Sequence, residues 1–211
     1  MAEKIDLFRQ LKASEYVTPK KPVRVSVGKA AYLTIDGQGA PGGEEFTKNV
    51  GALYGVAYTV KMTRKYSGEQ DYVVGKLEAQ WWGDGDSGDF GSLPPEEWRW
   101  KLLMRVPDFV GGDELKKAVT VLLEKGKEPE VEQVELENMT EGECVQMLYV
   151  GPYDKESETI EQMRAFAETE GMEFSGRHHE IYLSDPRRVP PERLKTILRM
   201  PVIESGESTP V

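Results

Sequence analysis

The chain has 211 residues, of which 38% are hydrophobic and 30% charged, and a net charge of −10. This balance excludes a disordered chain and leaves room for one large domain or two small ones with a real core. The acidity disfavours nucleic acid and anionic membrane as partners, because both require a basic surface, and it tolerates neutral or cationic ligands.

A single cysteine, Cys144, excludes an intrachain disulfide. No Cys/His spacing resembles a zinc site, so neither a metal nor a cofactor is expected. No apolar run approaches the length of a membrane span and no signal-peptide pattern is present, so the expected location is the cytoplasm.

In chain order, residues 3–12 carry Ile5, Leu7, Phe8 and Leu11 on a short amphipathic helix. Residues 30–36 read as the first clear strand, running into a loop rich in Gly37, Gly39, Gly42 and Gly43. Glu44 and Glu45 sit where a helix dipole favours negative charge, and Phe46, Val50, Leu53, Tyr54 and Ala57 follow at helical spacing. Residues 72–82 read as a strand, with a neighbour over residues 60–66. The acidic glycine stretch at residues 83–88 lacks the lysine of a phosphate loop, and its carboxylates fit a calcium loop poorly, so it reads as a plain loop. Residues 98–107 form another strand, closed by Pro107.

Asp113 reads as an N-cap for a helix with Leu115, Ala118, Val119, Leu122 and Leu123 in one stripe, ended by Gly126. Strands follow at residues 132–136 and 143–150. Asp154 reads as the cap of a helix carrying Ile160, Met163, Phe166 and Ala167. The stretch Arg177-His178-His179-Glu180-Ile181-Tyr182-Leu183 then alternates with period 2 and stops at Asp185-Pro186. Ile181 and Leu183 point one way, and His178, Glu180 and Tyr182 the other. A last apolar segment spans residues 194–202, and 204–211 reads as a loose tail.

The order strand, glycine turn, helix, strand, loop, strand occurs twice. Pro94-Pro95-Glu96 leads to Lys101, Arg105 and Pro107, as Pro190-Pro191-Glu192 leads to Lys195, Arg199 and Pro201. Laying residues 77–82 on 177–182 puts Gln80 opposite Glu180 and Trp82 opposite Tyr182. By strand parity, Glu180, Tyr182, Gln80 and Trp82 then share the face away from the core. Such duplicated units pair about a pseudo-twofold axis, and ligands favour the groove between them. The expected fold is α+β: a tandem β-α-β-β repeat with antiparallel sheets, helices on one face and a ligand cleft between the halves. Residues 1–19 form an N-terminal extension, about 20–112 the first half and about 113–203 the second.

The motifs Leu77-Glu78-Ala79-Gln80-Trp81-Trp82, Glu97-Trp98-Arg99-Trp100-Lys101, Gly151-Pro152-Tyr153 and His179-Glu180-Ile181-Tyr182-Leu183-Ser184-Asp185-Pro186 resemble the GyrI-like small-molecule-binding family. That family is named for a bacterial gyrase-inhibitory protein and also occurs in multidrug-sensing transcription regulators. The resemblance spans about residues 20–203 and looks like the stand-alone subgroup. It implies a cleft lined by aromatic side chains with a buried glutamate at its base, which in sensor members attracts lipophilic cations. Some stand-alone members are hydrolases that open the cyclopropane ring of DNA-alkylating compounds. The position matching that glutamate is Glu180, with Tyr149 as a catalytic companion. Trp82, Trp98, Trp100, Tyr153, His178 and Tyr182 are the candidate ligand-binding residues.

A buried carboxylate in an aromatic pocket either pairs with a cation or takes up a proton. In the first state Glu180 serves as a general base on water, and in the second as a proton donor. Three functions therefore stand side by side: a cofactor-free hydrolase of strained rings, a non-catalytic binder of hydrophobic, aromatic or cationic compounds, and a gyrase-inhibitor-like interaction module. The chain is taken as a monomer or weak dimer.

Overall fold

The computed structural model describes residues 3–83 and 90–206. The acidic glycine loop from residue 84 on, and most of the C-terminal tail, lie outside the described residues. The elements are α1 (Leu7–Gln10), β1 (Val23–Val27), β2 (Ala30–Gln38), α2 (Glu44–Tyr66), β3 (Glu78–Trp82), β4 (Arg99–Val106), α3 (Gly112–Glu124), β5 (Glu135–Met139), β6 (Gly142–Val150), α4 (Ser157–Thr169), β7 (Met172–Phe174), β8 (His178–Tyr182) and β9 (Lys195–Glu204). This is an α+β chain. The order strand, helix, strand, strand occurs twice, as β2-α2-β3-β4 and β6-α4-β8-β9, with the short β7 inserted in the second. The chain divides into two compact units, one of residues 1–10, 29–77 and 93–140, the other of residues 11–28, 78–92 and 141–211.

In the first unit β2 lies between β4 and β5, antiparallel to both, and α3 packs on α2. Six consecutive buried residues open β2, as expected of a strand covered on both faces. Glu44 and Glu45 occupy the first turn of α2, as the dipole argument requires. Residues 60–66 are not a strand but the last turns of α2. Val60 is buried there, Lys61 pairs with Asp71 at 3.0 Å, and Arg64 pairs with Glu69 at 2.9 Å. Packing and these anchors decide for helix over the strand expected there. The strand expected over residues 72–82 forms only from Glu78 onward. Gly75 runs too close to the Arg105 backbone to carry a side chain.

One cap and one strand start also differ from expectation. Gly111 rather than Asp113 caps α3, its N–H donating to Glu114 Oε2 at 2.9 Å. Residues 129–133 form a 3₁₀ turn, so the following strand begins only at Glu135.

Trp100 is fully buried in this unit, edge-on to Phe46 with centroids 5.3 Å apart. A Cβ on Gly37 would lie 2.1 Å from Trp100 Cη2. We expect Gly37→Ala to cost about 1–3 kcal/mol, the usual penalty for overpacking, and to lower the thermal midpoint accordingly.

In the second unit the strands run β1-β6-β9-β8-β3, all neighbours antiparallel, with β7 on β9. Helix α4 covers one face through Met163 and Ala167, which pack on Val145, Met147, Tyr149, Leu198 and Met200. Tyr16 and Val17, ahead of β1, lie against the other face. There Gln146 Nε2 donates to Val17 O at 2.8 Å, and the Tyr16 hydroxyl donates to Glu78 Oε1 at 2.7 Å. Among the described residues no helix is long and apolar enough to cross a membrane.

Candidate active site

Strand β8 carries charge on both faces. Residues directly opposite in an antiparallel pair share a face, so the register decides which groups meet. Glu180 lies opposite Ala79 and Leu198, and Trp81 opposite His178. The expectation that Gln80 and Trp82 share the Glu180 face is therefore corrected: Gln80 is paired with His179, and the tryptophan on the Glu180 face is Trp81. Neighbouring residues of a strand face opposite sides, so the β3–β8 register puts Ala79 and Trp81 on this face and Gln80 and Trp82 on the other. The Glu180 face is also not turned from the core. Leu198 and Met200 on that same face belong to the cluster under α4.

On this face His178 Nε2 lies 3.4 Å from Glu180 Oε1 and 3.5 Å from Glu156 Oε1. These contacts are in ion-pair range but outside hydrogen-bonding geometry. His178 Nδ1 is 3.3 Å from Met200 Sδ. His178 is only 2% exposed and Glu180 6%. Glu156 is the N-cap residue of α4 in helical conformation, so its side chain makes no capping bond and is free to reach the histidine. Glu156 Oε2 is buried without a hydrogen-bond partner.

Burial alone would push the His178 pKa down, but the flanking carboxylates of Glu156 and Glu180 outweigh it and hold it at about 9. Burial, and then the Glu180 charge, push Glu156 up to about 7 against the pull of His178. Near neutral pH the triad thus holds an imidazolium between two carboxyl groups, one of them on the edge of protonation.

Aromatic rings enclose it. Tyr153 and Tyr182 meet edge to face at 5.6 Å, and Phe90 stacks on Trp81 at 6.2 Å and tilts over His178 at 5.7 Å. The Tyr182 phenol is raised well above its ordinary pKa by burial and then by Glu180, and Tyr153 is raised to about 12 by burial and the same carboxylate. Both hydroxyls remain protonated donors. A cavity of about 330 Å³ reaches His178 and Met200 past Phe90, Ile160 and Phe174.

The other candidates fall elsewhere. The Tyr149 hydroxyl donates to Pro152 O at 2.7 Å and holds the Gly151 turn, so the phenol beside Glu180 is Tyr182. Trp82 lies on the opposite face with the Arg177 guanidinium 3.6 Å from its ring. Trp98, half-buried, donates from Nε1 to Leu93 O at 2.9 Å in the first unit, where Trp100 is a core residue. Sequence reasoning missed Glu156, Trp81 and Phe90. Glu156 was masked by the acidic turn before α4, where Asp154, here within a 3₁₀ turn, looked like the cap.

The reverse face of β8 holds a second buried network. His179 Nε2 is 3.0 Å from Glu78 Oε2, and His179 Nδ1 is 2.7 Å from Glu141 Oε1. Arg199 bonds Glu141, Gln146 and the Glu15 carbonyl. Burial would raise Glu141, but the charges of His179 and Arg199 overcome it and bring it to about 2.

The Glu156 shift makes stability depend on pH. The folded carboxyl holds its proton more tightly than the unfolded one, so its contribution is full below about pH 4.5 and lost as pH rises through 7. Its size is on the order of 3 kcal/mol. Denaturant titrations from pH 5 to 8 should show the wild type losing stability, and Glu156→Gln losing much less and exceeding the wild type at pH 8.

Residues 110–203 match the GyrI-like small molecule binding domain. With close relatives along nearly its whole length, the chain belongs to the GyrI-like family. An uncharacterized conserved protein from Listeria innocua is 42% identical over 95% of this chain and 100% of its own, with a TM-score of 0.88. A hydrolase from the same organism is 40% identical over the same shares, with a TM-score of 0.84. The EcmrR C-terminal domain shares the fold at 9% identity, covering 87% of this chain and 98% of its own, with a TM-score of 0.55. No curated protein matches the chain significantly.

Proposed function

We propose that the protein is a cofactor-free hydrolase that adds water to hydrophobic electrophiles with a strained ring, of the cyclopropane type. The observation that carries this reading is the buried Glu156–His178–Glu180 triad inside an aromatic enclosure. The 40% identity to a hydrolase supports it.

In this mechanism Glu180 takes a proton from a water, whose oxygen bonds to a ring carbon. The ring C–C bond breaks, and its electron pair passes to an oxygen conjugated with the ring. Glu156, protonated around neutrality, gives that oxygen its proton. The sum is substrate plus one water, with no redox change. His178 holds Glu180 in place, and the Tyr182 phenol orients the carboxylate and its water. Phe90, backed by Trp81, supplies a flat wall of the cavity for a planar substrate.

The test is incubation with a cyclopropane-bearing alkylating compound in ordinary and ¹⁸O-labelled water, followed by mass spectrometry. Catalytic gain of one labelled water supports the reading. Binding by tryptophan quenching with no conversion overturns it for that substrate class and leaves a binding protein.

A further inference from the structure

We propose that His178 is the specificity-determining residue of this site and selects neutral flat aromatic ligands over lipophilic cations. The inference rests on reading the triad as a small-molecule site, and it goes beyond the reaction by naming the ligand's charge.

A buried carboxylate attracts a cation only while its charge is uncompensated. Glu180 is not in that state, because His178 Nε2 stands 3.4 Å from it. The imidazole cannot swing out to make way. It is 2% exposed, its Nδ1 faces Met200 Sδ at 3.3 Å, and Phe90 lies over it. Both ring nitrogens therefore face acceptors, as a charged imidazolium requires. Its pKa of about 9 agrees with that state.

The cavity repeats the pattern. His178 and Met200 line it together with the apolar Phe90, Ile160 and Phe174, while Glu161 and Arg164 contribute one charge of each sign. A ligand that enters meets apolar walls and, of the triad, the imidazole of His178 rather than either carboxylate. A cation there loses its water and gains a like-charged neighbour; a neutral ring loses little.

The test uses two probes of the same ring outline, phenanthridine, neutral at neutral pH, and N-methylphenanthridinium, permanently cationic. Dissociation constants are measured by calorimetry. The wild type should bind the neutral probe at least about tenfold more tightly, a margin of about 1.4 kcal/mol. In His178→Gln, which leaves the carboxylates uncompensated, the order should reverse. Circular dichroism checks that the variant is folded, and His178→Phe, which fills the same space, carries the same expectation if it is not. A wild type that prefers the cation or does not discriminate overturns the proposal whether or not either variant folds. An unchanged ratio in a folded variant, or no saturable binding of either probe, also overturns it. Neither probe carries a strained ring, so failure of the hydrolase reading leaves this result standing, and the reverse holds as well.

Discussion

Glu180→Gln should reduce turnover of a strained-ring substrate by about 10²–10⁴-fold, the range for loss of a general base, while a neutral ligand binds with little change. The substitution keeps shape and volume and removes the carboxylate's charge together with its ability to accept a proton. It is a clean test because the carboxylate is buried and touches His178 rather than solvent. A drop in kcat with KM nearly constant marks an interaction made in the transition state. A rise in KM alone would mean that Glu180 binds ligand and does not act on water. The pH profile adds a second check. Glu156 must carry its proton to protonate the departing electron pair, so the rate should fall as pH rises through about 7, where burial and the Glu180 charge place its pKa. His178 keeps its charge until about pH 9 and contributes no break in that region. Stopped assays across pH 5 to 9 on wild type and Glu156→Gln decide this, because the variant should lose the limb at 7 together with most of its activity.

The α+β class and the doubled strand-helix-strand-strand order were legible because they rest on period and punctuation, which are local. The alternation through His178 to Leu183, the stop at Pro186 and the apolar stripe of α3 each stand on neighbours within a few residues. The partners of Glu180 were legible only where they lie on its own strand, as His178 and Tyr182 do. Glu156 and Trp81 reach the site through tertiary contacts, and the β3–β8 register, which the sequence does not contain, puts Trp81 rather than Trp82 on its face. The end of α2 was misread for a related reason. Its helical state depends on Lys61 and Arg64 reaching Asp71 and Glu69, contacts that propensity does not contain. Arg105 gave no hint of what its repeat partner Arg199 does. Arg199 is 1% exposed and pairs with Glu141.

That buried Arg199 leads to the largest expected loss of stability. Glu141 is the counter-charge that His179 and Arg199 share on the reverse face of β8. Glu141→Gln leaves two buried cations with Glu78 as their remaining carboxylate, and breaking such a pair costs about 3–5 kcal/mol. In a chain of this size that corresponds to a fall in Tm on the order of 10 °C. The sign with pH is fixed by the direction of the shift. The Glu141 pKa is lowered to about 2, so its contribution is present above about pH 4.5 and is lost as pH falls through 2. The gap between wild type and variant should therefore be full at pH 7 and shrink as the solution is acidified. Adding His179→Gln to Glu141→Gln removes one of the stranded cations, so the double variant should cost less than the sum of the two single changes. Thermal unfolding of the four proteins at pH 7 measures that coupling. Strict additivity would mean that the imidazole and the carboxylate do not share charge. Because Glu180 follows His179 on β8, a loosened network should also weaken turnover. That effect should be smaller than the direct loss from Glu180→Gln, since His178 holds the carboxylate from the opposite face.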